Sequence, residues 1–122
     1  MRAIYGLGLV VLATFGVGCS SPRECSDIAV AGLSVVEVDS ALGARICDAS
    51  VSAQLGSNTE LLERIPGDNS PSCAYVGAEE QPGTYVVRAE DAGFAASQGT
   101  ASVPAGECHV VTQQVTLMLT AE

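Results

Sequence analysis

The cleanest alternation of apolar and polar positions lies at "ASVSAQL", where Ala49, Val51, Ala53 and Leu55 share one face and Ser50, Ser52 and Gln54 the other. Successive strand side chains point to opposite sides of a sheet, so this run predicts a strand with one buried face. "GTYVVRAE" repeats the pattern, with Tyr85, Val87 and Ala89 opposite Thr84, Arg88 and Glu90. "QQVTLMLT" sets Val115, Leu117 and Leu119 against Gln114, Thr116 and Thr120. In "SVVEVDS" the same reasoning places Val36 and Val38 inward and Glu37 and Asp39 outward. These four runs are rich in Val, Thr or Tyr, as strands are. Shorter strand candidates lie at "ELLERI", "CAYVGA" and "TASVP"; alternation breaks between Glu60 and Arg64, where a single helical turn is the competing expectation. Gly43, "LGSN", "PGDNSP", "QPG", "DAGF" and "PAGE" supply turn chemistry between the runs. Seven short strands punctuated by turns predict an all-β fold, a single seven-stranded β-sandwich.

One stretch does not alternate. After Met1 and Arg2, residues 3–18 contain no ionisable side chain except Tyr5, the profile of a signal peptide. As a helix this segment spans about 24 Å, short of the roughly 30 Å hydrocarbon core of a bilayer. Gly6, Gly8, Gly16 and Gly18 weaken a spanning helix further. The expectation is therefore an apolar signal helix over 1–18 that directs export. The run ends in "FGVGCSS", which resembles the lipobox of bacterial lipoproteins, with Gly16 where such boxes usually carry Leu. The resemblance implies a thioether lipid on Cys19, which becomes the first residue of the mature chain and binds it to a membrane. The other reading of these residues is ordinary signal cleavage that leaves Cys19 as a spare thiol. The expected organisation is a signal peptide at 1–18, a tether at 19–27 and one domain at 28–122.

The chain has five cysteines. With Cys19 lipidated, Cys25, Cys47, Cys73 and Cys108 form an even set suited to disulfides in an exported protein. Three pairings are open. If Cys25 belongs to the flexible "SSPRE" tether, Cys47 pairs with Cys73 or Cys108 inside the domain and one thiol is left over. A domain of about 100 residues buries somewhat over 60% of its unfolded surface, a margin that such bridges widen.

Charge narrows the partners. There is no lysine, and beyond the signal four arginines face fourteen carboxylates, a formal side-chain charge of −10. Such a surface repels phosphate backbones, which argues against any nucleic-acid partner. His109 is the sole histidine, so a multi-histidine metal cluster is excluded within one chain, and any triad would rest on it alone. It follows Cys108; in a strand the two side chains point apart and cannot act as nucleophile and base. A disulfide half and a solvated or capping imidazole are the expected roles, and no catalytic residue, metal or cofactor is expected. Asp39, Asp48, Asp68, Asn69, Glu79 and Glu80 fall mostly in turns where oxygen ligands could gather around calcium, but no spacing matches an EF-hand loop.

The order of the pieces carries a second resemblance. "VVEVDSALGARICDASVSA" resembles the opening of carboxypeptidase regulatory-like domains, the transthyretin-like or prealbumin-like sandwiches, through Asp39, Gly43, Asp48, Ala49 and Val51. "GTYVVRAEDAGF" is similar to a later strand of that family through Gly83, Tyr85, Val87, Ala89, Gly93 and Phe94. In such domains a Pro usually precedes the second strand, where Arg45 and Ile46 stand here, and Cys47 is additional. The pattern has a physical sense: Tyr85 can bury its ring with the hydroxyl at the rim, while Gly93 turns the chain so that Phe94 returns to the core.

The expected protein is a non-enzymatic lipoprotein of the cell envelope, at the outer membrane of a double-membraned bacterium, because Ser20 replaces the aspartate that the lipoprotein rule associates with inner-membrane retention. Its β-sandwich would bind an envelope protein or glycan, or serve structurally. The alternatives are an accessory module docking to an envelope enzyme or transporter, and a calcium-dependent adhesion module.

Overall fold

The computed structural model describes residues 25–68 and 70–122. The signal segment, Cys19, the tether as far as Glu24 and the calcium candidate Asn69 lie outside the described residues. All regular structure within them is β: β1 (Leu33–Asp39), β2 (Arg45–Ile46), β3 (Ser50–Leu55), β4 (Asn58–Leu61), β5 (Glu63–Ile65), β6 (Ala74–Gly77), β7 (Gly83–Glu90), β8 (Ser97–Val103) and β9 (Gln113–Leu119).

Two sheets enclose the core. One runs β9–β1–β6–β5, with β2 also paired to β1; the other runs β4–β3–β7–β8. All pairings are antiparallel except β9 with β1, where Gln113–Leu119 lies parallel to Leu33–Asp39 in unbroken register. Inward residues from both sheets form one cluster: Leu33, Val35, Tyr75, Leu117 and Leu119 meet Val51, Ala53, Tyr85, Val87 and Ala89. The sheets close along one side, where β8 runs beside β9 and a Cβ on Gly99 would stand 3.3 Å from Leu117 Cδ2. The alternation of β3, β7 and β9 translates directly into burial, with the predicted apolar face inward in each.

Among the described residues nine strands stand where seven were expected. One addition is the two-residue β2. The other comes from "ELLERI" and its preceding turn, which form two strands and no helical turn: β4 pairs with β3 in one sheet and β5 with β6 in the other. Leu62 is the crossing point; it is buried, and its amide donates to Val51 O at 2.8 Å. The alternation breaks there because the chain changes sheets.

The face of β1 is reversed. Leu33, Val35 and Glu37 point inward, while Val36 and Val38 lie on the outer side. Both parities of "LSVVEVD" carry two apolar residues, so the acidic residue appeared to decide the face. The parallel register decides otherwise, because it sets Glu37 beside the inward Leu117 and Val38 beside the outward Met118.

Candidate functional site

The first site lies where the chain enters the domain. Segment 25–32 runs alongside the loop after β6 and the loop before β9: Gly32 N donates to Gly77 O, Gln113 N to Gly32 O, and Thr112 Oγ1 to Ala31 O. Cys25 is bonded to Cys108 and Cys47 to Cys73. The tether reading of Cys25 thus gives way to a fastened Cys25, and none of the four cysteines is left over. Among the expected partners of Cys47, Cys73 is the one observed, because Cys108 lies near the opposite end of the sheets. Cys108 and His109 occupy a bend, not a strand.

Glu80 organises this entry. Its Oε2 accepts from Val30 N at 2.9 Å and its Oε1 from Val110 N at 3.2 Å, and Oε2 also contacts His109 Nδ1 in an ion-pair geometry. His109 Nε2 lies 3.4 Å from Ser26 Oγ, which itself accepts from Ile28 N at 3.1 Å. Burial alone would raise the Glu80 carboxyl, but the hydrogen bonds from His109, Val30 and Val110 and the imidazole charge outweigh it and hold the carboxyl below its ordinary value of 4.5. The order carboxylate–imidazole–hydroxyl is that of a nucleophile relay. The hydroxyl also accepts from Ile28 N, and its 3.4 Å separation from His109 Nε2 is longer than the roughly 2.6–3.2 Å typical of a nucleophile–base pair, a spacing often looser without substrate. The cluster is a clasp joining segments 25–30, 80 and 108–110.

A test of the clasp follows from the sign of that shift. A carboxylate with a lowered folded-state pKa contributes stability above its ordinary value, lost as pH falls through the folded one. Acidifying well below pH 4.5, or Glu80→Ala at neutral pH, should lower the protection of the Val30 and Val110 amides relative to the unfolded chain at the same pH, while leaving β7 protected. Unchanged protection at those two amides would contradict the clasp.

The second unusual group is Glu37. It has no exposed surface, and neither carboxylate oxygen has a hydrogen-bond partner. Leu117 flanks it on β9 and Ile46 on β2. Burial pushes its pKa to about 7; the Arg45 charge pulls the other way without compensating. Arg45 is engaged elsewhere, donating from Nη1 to Cys73 O at 2.6 Å. Tyr75, on the neighbouring strand, is raised by its own burial and accepts from Ala49 N at 3.0 Å.

The carboxylates considered as calcium ligands are dispersed. Asp39 Oδ1 caps the turn at Ala41 and Leu42, Asp68 Oδ1 accepts from Ser70 N, and Glu80 belongs to the clasp. Asp48 lies by Asp91, whose carboxyl is raised by burial, by a hydrogen bond with Asp48 and by its charge. Among the described residues no group of three or more His, Cys, Asp or Glu side chains is placed to hold a metal ion.

A cleft of about 230 Å³ opens where β3 parts from β5, lined by Asp48, Leu61, Leu62, Arg64 and Tyr75 among others. Two wider and more polar hollows, of about 420 Å³ at Glu60, Glu63 and Glu79 and about 430 Å³ at Asp48, Glu90 and Asp91, fall within the roughly 300–1,000 Å³ of typical small-molecule sites. The reversal of β1 also leaves apolar groups on the outer face of its sheet: Val36 and Val38 half-buried, Met118 and Ile65 exposed. No helix among the described residues is long and apolar enough to cross a membrane.

Comparison with models of protein families, with curated proteins and with solved structures finds no match to this chain. The clasp was not legible in the sequence because its members are far apart, Glu80 and His109 by 29 positions and Ser26 and His109 by 83. The only available signal was the rarity of the imidazole and its place beside a cysteine.

Proposed function

We propose that the chain is an exported lipoprotein, fixed to a membrane of the cell envelope through lipid on Cys19, whose β domain acts by binding or as a structural part and not by catalysis. The observation that carries this reading is the cysteine arithmetic. Two bridges join Cys25 with Cys108 and Cys47 with Cys73, which suits an oxidising compartment and leaves Cys19, at the end of the apolar leader, outside both. Ser20 favours the outer membrane.

The finer fold reading, a domain of the carboxypeptidase regulatory-like or transthyretin-like kind, draws support from two features. Gly93 has φ +84°, turning the chain so that Phe94 packs partly against the core. Tyr85 is buried, with its hydroxyl donating to Gln81 O at 2.7 Å at the rim. The outward Val36, Val38, Ile65 and Met118 favour a second reading, an accessory module docking to an envelope enzyme or transporter. Cys19→Ser tests the anchor: the variant should accumulate as uncut precursor or leave the membrane fraction while the domain keeps both bridges. Unchanged membrane fractionation with normal processing would overturn the anchor.

A further inference from the structure

The geometry points to the clasp end of the domain as a membrane-docking surface, in which Ile28 and Val111 enter the interfacial zone of the bilayer that holds the lipid of Cys19. This rests on the lipoprotein reading and adds to it an orientation and a contact.

Three observations converge. The first is reach. Cys25 is fixed to the domain by its bond to Cys108, and only five residues, six Cα-to-Cα steps, lie between Cys19 and Cys25. Fully extended, that chain covers about 20 Å, so the disulfide cannot rise further than this above the anchored cysteine.

The second is polarity of the fold. The loops at the bridge end are 25–32, 78–82 and 104–112, which adjoin the start of β1, the end of β6 and the start of β9. The turn at 40–44 lies at the other end of the seven-residue β1, about 23 Å away. A tether of that reach keeps the clasp loops within about 20 Å of the lipid, while the 40–44 and 91–96 loops lie at the far end of the sheets.

The third is the surface itself. Ile28 stands two residues after Ser26 and is 74% exposed; Val111 stands two residues after His109 and is 48% exposed. The clasp fixes both segments, so two apolar side chains are held outward with little ordering left to pay on contact. Asp27, Glu79 and Glu107 belong to the same loops. The contact is consequently apolar and suits a zwitterionic headgroup layer; anionic lipid should weaken it within a Debye length.

The chain contains no tryptophan, so an introduced indole is a unique reporter. Lipidated protein carrying Ile28→Trp, Val111→Trp or Leu42→Trp would be reconstituted in phosphatidylcholine vesicles, with intact mass confirming the lipid and circular dichroism the fold. The indoles from Ile28→Trp and Val111→Trp should shift to the blue. Brominated acyl chains should quench them by about half or more, as for rings seated about 5–10 Å into the headgroup–acyl boundary. The indole from Leu42→Trp should stay water-like, and phosphatidylglycerol should reduce the first two signals. Lipidated protein in which all three indoles behave alike would overturn the docking and leave the anchor standing. Stronger signals in phosphatidylglycerol would overturn the apolar basis of the contact. Protein without lipid on Cys19 would overturn the anchor and the docking together.

Discussion

Glu37→Leu is expected to stabilise the domain at pH 8 by about 3 kcal/mol, and to remove a pH dependence that the native chain shows between about pH 4.5 and 7. Below 4.5 the carboxyl is protonated in both folded and unfolded chains, and burial carries no ionisation penalty. Between 4.5 and about 7 the unfolded chain releases this proton while the fold retains it, so stability falls as pH rises, by about 1.4 kcal/mol per unit. Above about 7 both states are ionised and the loss levels off. Leucine removes the charge and fills similar space among Val35, Ile46 and Leu117, and exchange of a buried charged group for a packed apolar one is commonly stabilising. For a domain of this size, 3 kcal/mol corresponds to a rise in Tm of the order of 10 °C. Glu37→Gln should flatten the pH dependence equally but gain less, because a buried amide without partners retains a desolvation cost. Thermal melts by circular dichroism from pH 4 to 9 decide the matter, and the difference between native and variant curves cancels the contributions of Asp91 and Glu80. A Glu37→Leu variant less stable than the native chain at pH 8, with an unchanged pH profile, would show that Glu37 has partners in the fold.

Reduction of both disulfides should lower stability by several kcal/mol, a large part of the roughly 5–15 kcal/mol available to a natural domain. The bridges close loops of unequal length, with sequence separations of 83 for Cys25–Cys108 and 26 for Cys47–Cys73. Loop-closure entropy alone gives about 4–5 and about 3–4 kcal/mol respectively. Their local consequences differ. Cys73 is fully buried, so Cys47→Ala with Cys73→Ala also removes core packing and should loosen β2 and Tyr75. Cys25→Ala with Cys108→Ala should leave the sheets intact and loosen the start of the entry segment, which the Glu80–His109 clasp and the hydrogen bonds at Val30, Ala31 and Gly32 then hold. Non-reducing peptide mapping should recover the 25–108 and 47–73 pairs. A 47–108 link, or a free thiol at any of the four positions, would contradict the fold at its two ends.

The sequence yielded the sheet faces wherever alternation and charge agreed. Val51 and Ala53, Tyr85 and Val87, and Leu117 and Leu119 are buried as their period demands. It misled at Glu37, where a carboxylate sits on the inward parity of a strand whose two faces are equally apolar. The deciding information, the parallel pairing of β1 with β9, joins residues about 80 positions apart. It misled again at Leu62, since a broken period marks a helical turn and a change of sheet alike. Cys25 looked like tether because its neighbours are small, polar or charged; its attachment depends on Cys108 and on a carboxylate at position 80 that local pattern cannot connect to it. The candidate site was therefore legible as an inventory, one histidine and an even set of cysteines, but not as a clasp.

Intact-mass spectrometry of the protein isolated from the membrane fraction tests the lipid-anchored reading most directly. The expected species begins at Cys19, carries diacyl or triacyl mass on that residue and lacks the hydrogens given up to two disulfides. A mature chain beginning at another residue, or one beginning at Cys19 without acyl mass, would contradict it.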